Sequence, residues 1–171
     1  LLDDQATKAA MVKAMSDLIG KASKGDSLVI TFSGHGTYQP DEDGDEADGL
    51  DEALCPYDLQ TNGAALIDDE IRAIFGARKA GVRIVLISDS CHSGTVTRAA
   101  KAEKDADTRP RFMPMGNWLP ARLLPKDRAG KLATTMVAPG GTSPLMSAYS
   151  NKLGDLLLSG CKEGPNNYSY D

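Results

Sequence analysis

Two short apolar runs, at residues 28–32 (LVITF) and 82–87 (VRIVLI), each stop abruptly in small and polar residues, and this repeated ending constrains the chain most. The first run ends in Ser33-Gly34-His35-Gly36. The second, broken only by Arg83, ends in Ser88-Asp89-Ser90-Cys91-His92-Ser93-Gly94. A continuous, β-branched run with turn chemistry after it suits a strand buried on both faces of a parallel sheet. Residues 67–79 lie between the two runs and read as a helix, with Ile67, Ile71, Ile74 and Phe75 on one face. Strand, helix and strand in that order make a crossover unit, so the two strands are expected to be parallel. In open α/β sheets, chemistry gathers just beyond the carboxyl ends of such strands. Both endings carry a reactive side chain there, His35 in one and Cys91 in the other.

The remaining elements fit around that pair. Residues 7–23 predict an amphipathic helix, with Met11, Ala14, Met15, Leu18, Ile19 and Ala22 at helical spacing and Thr7 as its cap. Residues 37–65, rich in Asp, Glu, Gly and Pro, read as one long loop, and a loop of that length is usually functional. Asp68, Asp69 and Glu70 open the helix at 67–79, where acids also complement the helix dipole. Residues 95–150 hold many Pro, Gly, Lys and Arg and read largely as an extended, mobile basic excursion. A third apolar strand is expected at 155–159. With 171 residues the chain is expected to form a single domain.

Charge is unevenly spread. The net charge of −5 argues against a nucleic-acid partner, for which a basic patch is the usual footprint. Between Gly25 and Ile71 there is no Lys or Arg, while 13 of the 24 acidic residues fall there. Such a segment either holds a cation or cationic substrate or is simply solvated surface. Cys55, Cys91 and Cys161 are an odd number without zinc-ligand spacing, which disfavours a disulfide framework and suits a reducing, cytoplasmic setting. No apolar run approaches the length that spans a membrane.

A free thiol is only a few per cent thiolate at neutral pH, so a nucleophilic Cys91 needs a base. His35, on the neighbouring strand tip, can serve and can later protonate a leaving amine. His92 is the rival; adjacent residues of an extended chain point to opposite faces, which turns it away from the Cys91 sulfur. The backbone N–H groups of Gly36 and Cys91 are candidates for binding a developing oxyanion. Cys55 and Cys161 read as ordinary small hydrophobes.

The paired SGHG and DSCHSG motifs, with DGDEADGLDEALCPYD and LIDDEI between them, closely resemble the metacaspases, the caspase-like cysteine peptidases of bacteria, plants, fungi and protists. LLDDQAT near the start and LLLSGCKEG near the end fit a bacterial-type member of the same family. The resemblance implies a caspase-like three-layer α/β/α sandwich around a mainly parallel sheet. It implies His35 and Cys91 as a catalytic dyad, and Ser33 and Asp89 as the lining of the pocket for the residue before the scissile bond. Metacaspases cleave after Arg or Lys, and a carboxylate two residues from the nucleophile pairs with a guanidinium or ammonium and repels an acidic side chain. Many members need calcium, held by carboxylates that here correspond to Asp51, Asp68 and Asp69; oxygen-rich clusters suit that cation. Arg98 stands where calcium-dependent members often carry a further Asp, and a cation there opposes metal binding. No organic cofactor is implied.

Further expectations follow from the resemblance. The partners are protein or peptide substrates with Arg or Lys before the scissile bond, and the enzyme is a monomer. The basic excursion, with Arg98, Lys101, Lys104, Arg109 and Arg111, is a candidate for self-cleavage. A strand, helix and strand normally precede the LLDDQAT segment and more sequence follows the SGC motif, so the chain is expected to be incomplete at both ends. Two other classes compete with an endopeptidase: a catalytically silent caspase-fold regulatory module, and an acidic calcium-binding module with an incidental thiol.

Overall fold

A computed structural model describes residues 1–42, 44, 49–90, 108–109, 111–124, 156–159 and 169–170. The predicted first helix is α1, Lys8–Lys21, and the Thr7 hydroxyl caps it by accepting from the Ala10 N–H at 3.2 Å. Its buried stripe is narrower than the sequence pattern suggests. Met15 and Ile19 are buried and Met11 and Val12 pack beside them, while Ala14 and Leu18 face outward.

The two apolar runs form β1, Ser27–Ser33, and a later strand at Arg83–Asp89. They pair in parallel through seven positions, from Ser27 opposite Arg83 to Ser33 opposite Asp89. The chain reaches the second strand through three shorter strands and two helices: β2, Gly36–Pro40; β3, Leu50–Leu54; α2, Leu59–Asn62; β4, Leu66–Ile67; and α3, Asp68–Gly76. The Arg83–Asp89 strand is therefore β5. The expected third strand is β7, Leu156–Ser159, parallel to β5 on its other side, giving the order β1-β5-β7. A short antiparallel pair, β6 (Thr108–Arg109) with β8 (Ser169–Tyr170), completes the described strands. The chain is thus α/β, built around a parallel sheet.

One face of that sheet is covered. Leu28, Ile30 and Phe32 of β1 and Ile84 and Leu86 of β5 pack against Met15 and Ile19 of α1 and Ile71 and Phe75 of α3. Lys8 and Glu70 join the two helices by an ion pair of 2.8 Å. Phe75 is fully buried at the centre of this cluster. Phe75→Ala is expected to destabilise the fold by about 3–5 kcal/mol, the usual cost of deleting a buried ring; urea unfolding followed by circular dichroism measures it.

Three expectations are corrected here. Neither strand is buried on both faces: β1 alternates exposed and half-buried residues, with Val29 59% and Ile87 of β5 37% exposed. Among the described residues a helical layer covers only the other face, so the odd-numbered side chains stay open. Residues 37–65 are not one long loop. β2 and β3 form an antiparallel hairpin with Gln39 opposite Asp51, and Ala53 pairs onward with Ile67 of β4. Leu54 and Leu66 carry this second sheet into the main core. The stretch at 111–124 is no surface excursion either. Met115 and Trp118 are buried, and Phe112, Met113 and Leu119 pack with them against the hairpin. The rest of the segment at 95–150 lies outside the described residues, apart from β6.

Candidate active site

Both predicted strand tips lie at the same sheet edge. Ser33 and Asp89 end β1 and β5 directly opposite one another, and the Gly34 N–H extends the ladder by donating to the Asp89 carbonyl at 3.2 Å. Parallel neighbours in register share a face, so both side chains belong to the open face with Val29 and Ile87. On the covered face the Ser88 and Ser90 hydroxyls lie 2.7 Å apart and fully buried. That hydrogen-bonded pair pins the end of β5 and fixes which way Asp89 points. Neither serine stands out in the sequence except by their spacing of two around Asp89.

The turn from β1 into β2 carries His35. A Cβ on Gly34 would lie 2.8 Å from the Phe32 ring, so a side chain there would require that ring to shift. The His35 carbonyl accepts from the Cys55 N–H at 2.9 Å, which ties the turn to the end of β3. The His35 side chain is exposed, and among the described residues nothing hydrogen-bonds its ring. Cys55 itself is a partly buried core thiol whose pKa burial pushes up to about 12, which keeps it protonated and unreactive at neutral pH. This agrees with its reading as a small hydrophobe.

The structure adds a residue that the sequence placed only among candidate cleavage points. Arg111 reaches onto the two strand tips: its Nη1 donates to the Ser33 hydroxyl at 2.7 Å and lies 3.4 Å from Asp89 Oδ2. Its carbonyl accepts from the Gly36 N–H at 2.9 Å, and the Gly36 carbonyl accepts from the Met113 N–H at 2.8 Å. The backbone donor nominated for an oxyanion therefore already holds a carbonyl oxygen, beside a pair of side chains that already holds a guanidinium.

Cys91, His92, Arg98, Lys101, Lys104 and Cys161 lie outside the described residues. Of the three carboxylates proposed for calcium, Asp51 and Asp68 are each only 4% exposed. Asp69 forms an ion pair with Arg72 one turn along α3. Glu70 accepts from the Ile67 N–H at 3.2 Å, so part of the acidic helix start serves the helix itself. No group of three His, Cys, Asp or Glu side chains among the described residues is placed to share a metal ion. No helix among the described residues is long and apolar enough to cross a membrane.

Residues 1–100 match the family model described as metacaspase, peptidase C14 domain. Among curated relatives, metacaspase-1B of Aspergillus oryzae is 47% identical over 102 residues, covering 56% of this chain and 24% of the relative. Metacaspase-2 of Arabidopsis thaliana is 50% identical over 91 residues, covering 53% of this chain and 22% of the relative. A crystal structure of a protein from Geobacter sulfurreducens matches 99% of this chain and 60% of its own, with a TM-score of 0.61 and 31% identity. The chain spans about a quarter of the length of these curated relatives. With more than half of its residues matched by that family model, and with the strand tips arranged as above, the chain belongs to the metacaspase family.

Proposed function

We propose that this protein is a cysteine endopeptidase that cleaves after Arg or Lys, with Cys91 as nucleophile and His35 as its base. One observation carries the specificity: Ser33 and Asp89 sit side by side at the sheet edge and already hold a guanidinium. A carboxylate in that position stabilises a substrate Arg or Lys and repels an Asp. In the proposed reaction His35 takes the Cys91 thiol proton, and the thiolate attacks the scissile carbonyl carbon. Once the Arg111 carbonyl has left it, the Gly36 N–H stabilises the resulting oxyanion together with the Cys91 N–H, and the C–N bond breaks as the imidazolium returns its proton to the amine. Water, deprotonated by the same imidazole, then hydrolyses the Cys91 thioester and frees the thiol. The reading is tested with an arginyl chloromethyl ketone, which should add one mass equivalent at Cys91 by peptide mapping. Labelling elsewhere, or equal labelling by the aspartyl reagent, would contradict it.

Self-processing belongs to the same proposal. The intact mass of the purified protein should show cleavage after one of Arg98, Lys101, Lys104, Arg109 or Arg111, and Cys91→Ala should not. Identical masses would sink this part.

Calcium is proposed only as a bound cation, resting on the two buried carboxylates Asp51 and Asp68, and no chemical step runs through it. A ligand at about 100 times its Kd stabilises by about 2.7 kcal/mol. Saturating calcium is then expected to raise the melting temperature by about 5–10 °C in a chain of this size, and Asp51→Asn should abolish the rise. No shift in the wild type removes calcium from the account.

A further inference from the structure

We infer that Arg111 is a built-in competitor for the basic-residue pocket, an inference that rests on reading Ser33 and Asp89 as that pocket. Arg111 meets both recognition elements a substrate residue would need. Its guanidinium is on Ser33 and Asp89, and its carbonyl oxygen is on the Gly36 N–H. A surface arginine reaching for a carboxylate by chance would satisfy the first and not the second.

The residues that follow keep it there. Phe112 bridges to Gly36 as a parallel neighbour, and its ring packs 5.3 Å from that of Tyr38. The Thr37 hydroxyl donates to the Met113 carbonyl at 2.7 Å and lies 3.0 Å from the indole N–H of Trp118, which donates to it. Thr37 is fully buried and Trp118 nearly so. The segment is therefore laid along β2 by backbone and side-chain contacts, and it presents Arg111 to the pocket at the high effective concentration of a tethered ligand.

The consequence is quantitative. A pocket that its own chain leaves open about a tenth of the time binds an external ligand about tenfold more weakly than the empty pocket does. Arg111 thereby sets how strongly a substrate must bind before it is accepted, and any event that lifts the 111–118 segment off β2 raises the affinity for basic substrates.

Benzamidine, a small planar cation that pairs with carboxylates, tests this by calorimetric titration of the intact protein, without reliance on turnover. Arg111→Ala is expected to bind it about tenfold more tightly than the wild type. Arg111→Lys, which keeps a cation on the tether, should stay within about threefold of the wild type. Adding Asp89→Ala to Arg111→Ala should abolish the gain. Equal affinity in the wild type and Arg111→Ala would overturn the competitor while leaving the pocket in place. Binding by neither would overturn the pocket itself, and with it this inference. Melting temperatures recorded alongside show that the variants are folded, and Arg111→Gln, which keeps the length of the side chain without its charge and should show the same tighter binding, carries the comparison should the alanine variant not be.

Discussion

Cys91→Ala is expected to lower kcat/KM on an Arg-containing peptide by at least about 10⁴-fold, since removing a nucleophile from a coupled catalytic pair eliminates nearly all of its contribution. The loss should fall on kcat, with KM little changed, because the bond from Cys91 to the substrate forms only on the reaction path. His35→Ala should cost about 10²–10⁴-fold, the usual range for a general base. His35 is exposed and belongs to no core cluster, so its replacement should leave the melting temperature where it was. His92→Ala separates the two histidines: activity within a few-fold of the wild type keeps His35 as base, and a loss like that of His35→Ala would transfer the role. Steady-state kinetics on one fluorogenic Arg peptide measures all three variants.

Asp89→Ala should produce the next largest loss, confined to substrates with Arg or Lys before the scissile bond. Truncating one partner of a hydrogen-bonded charge pair costs about 2–5 kcal/mol when the pair is desolvated. The Asp89 side chain is 36% exposed, and solvent screening places the expectation at the lower end, about 2–3 kcal/mol. At about 1.4 kcal/mol per factor of ten, this is roughly 30–100-fold in kcat/KM. Asp89 also holds Arg111, so the single variant weakens substrate and competitor together. In an Arg111→Ala background only the substrate loses its partner, and the loss should be larger. A drop of the same size on a peptide with Ala at that position would mean that Asp89 supports the strand tip and does not select the substrate.

What the sequence made legible was whatever had a local signature. β1 and β5 were readable as continuous β-branched runs, and α1 as an amphipathic repeat capped by Thr7. The β2–β3 hairpin was not. Leu50–Leu54 is buried at both ends without a clean alternation, and the Asp and Glu residues around it look like loop chemistry. Its pairing with β2 is decided across the intervening acidic residues by register, which no short window reports. The same holds for 111–124, where short 3-10 turns and two prolines erase any helical or strand period. Trp118, the single tryptophan of the chain, was the available signal, because such a ring is seldom spent on a solvated loop.

The site divides in the same way. His35, Gly36, Ser33 and Asp89 could be placed together because two strand tips in one parallel sheet must end at one edge. That the described residues cover one sheet face only could not be anticipated, since it depends on which layers pack against it and not on the strands' own residues. Arg111 was legible as a basic residue but not as a partner of Ser33 and Asp89. Its position follows from the seating of Phe112, Met113 and Trp118 on β2, a contact between segments some 75 to 80 residues apart, of which the Trp118–Thr37 hydrogen bond is the longest-range instance.

Turnover of small peptides decides between an endopeptidase and a silent module. The intact protein is assayed on four peptides that differ only in the residue before a fluorogenic group, Arg, Lys, Asp or Ala, each with calcium and with a chelator. Cleavage of the Arg and Lys peptides is expected, with at least about 100-fold slower cleavage of the other two and no activity in Cys91→Ala. Cleavage of the Asp peptide alone, or of none of the four, would contradict it.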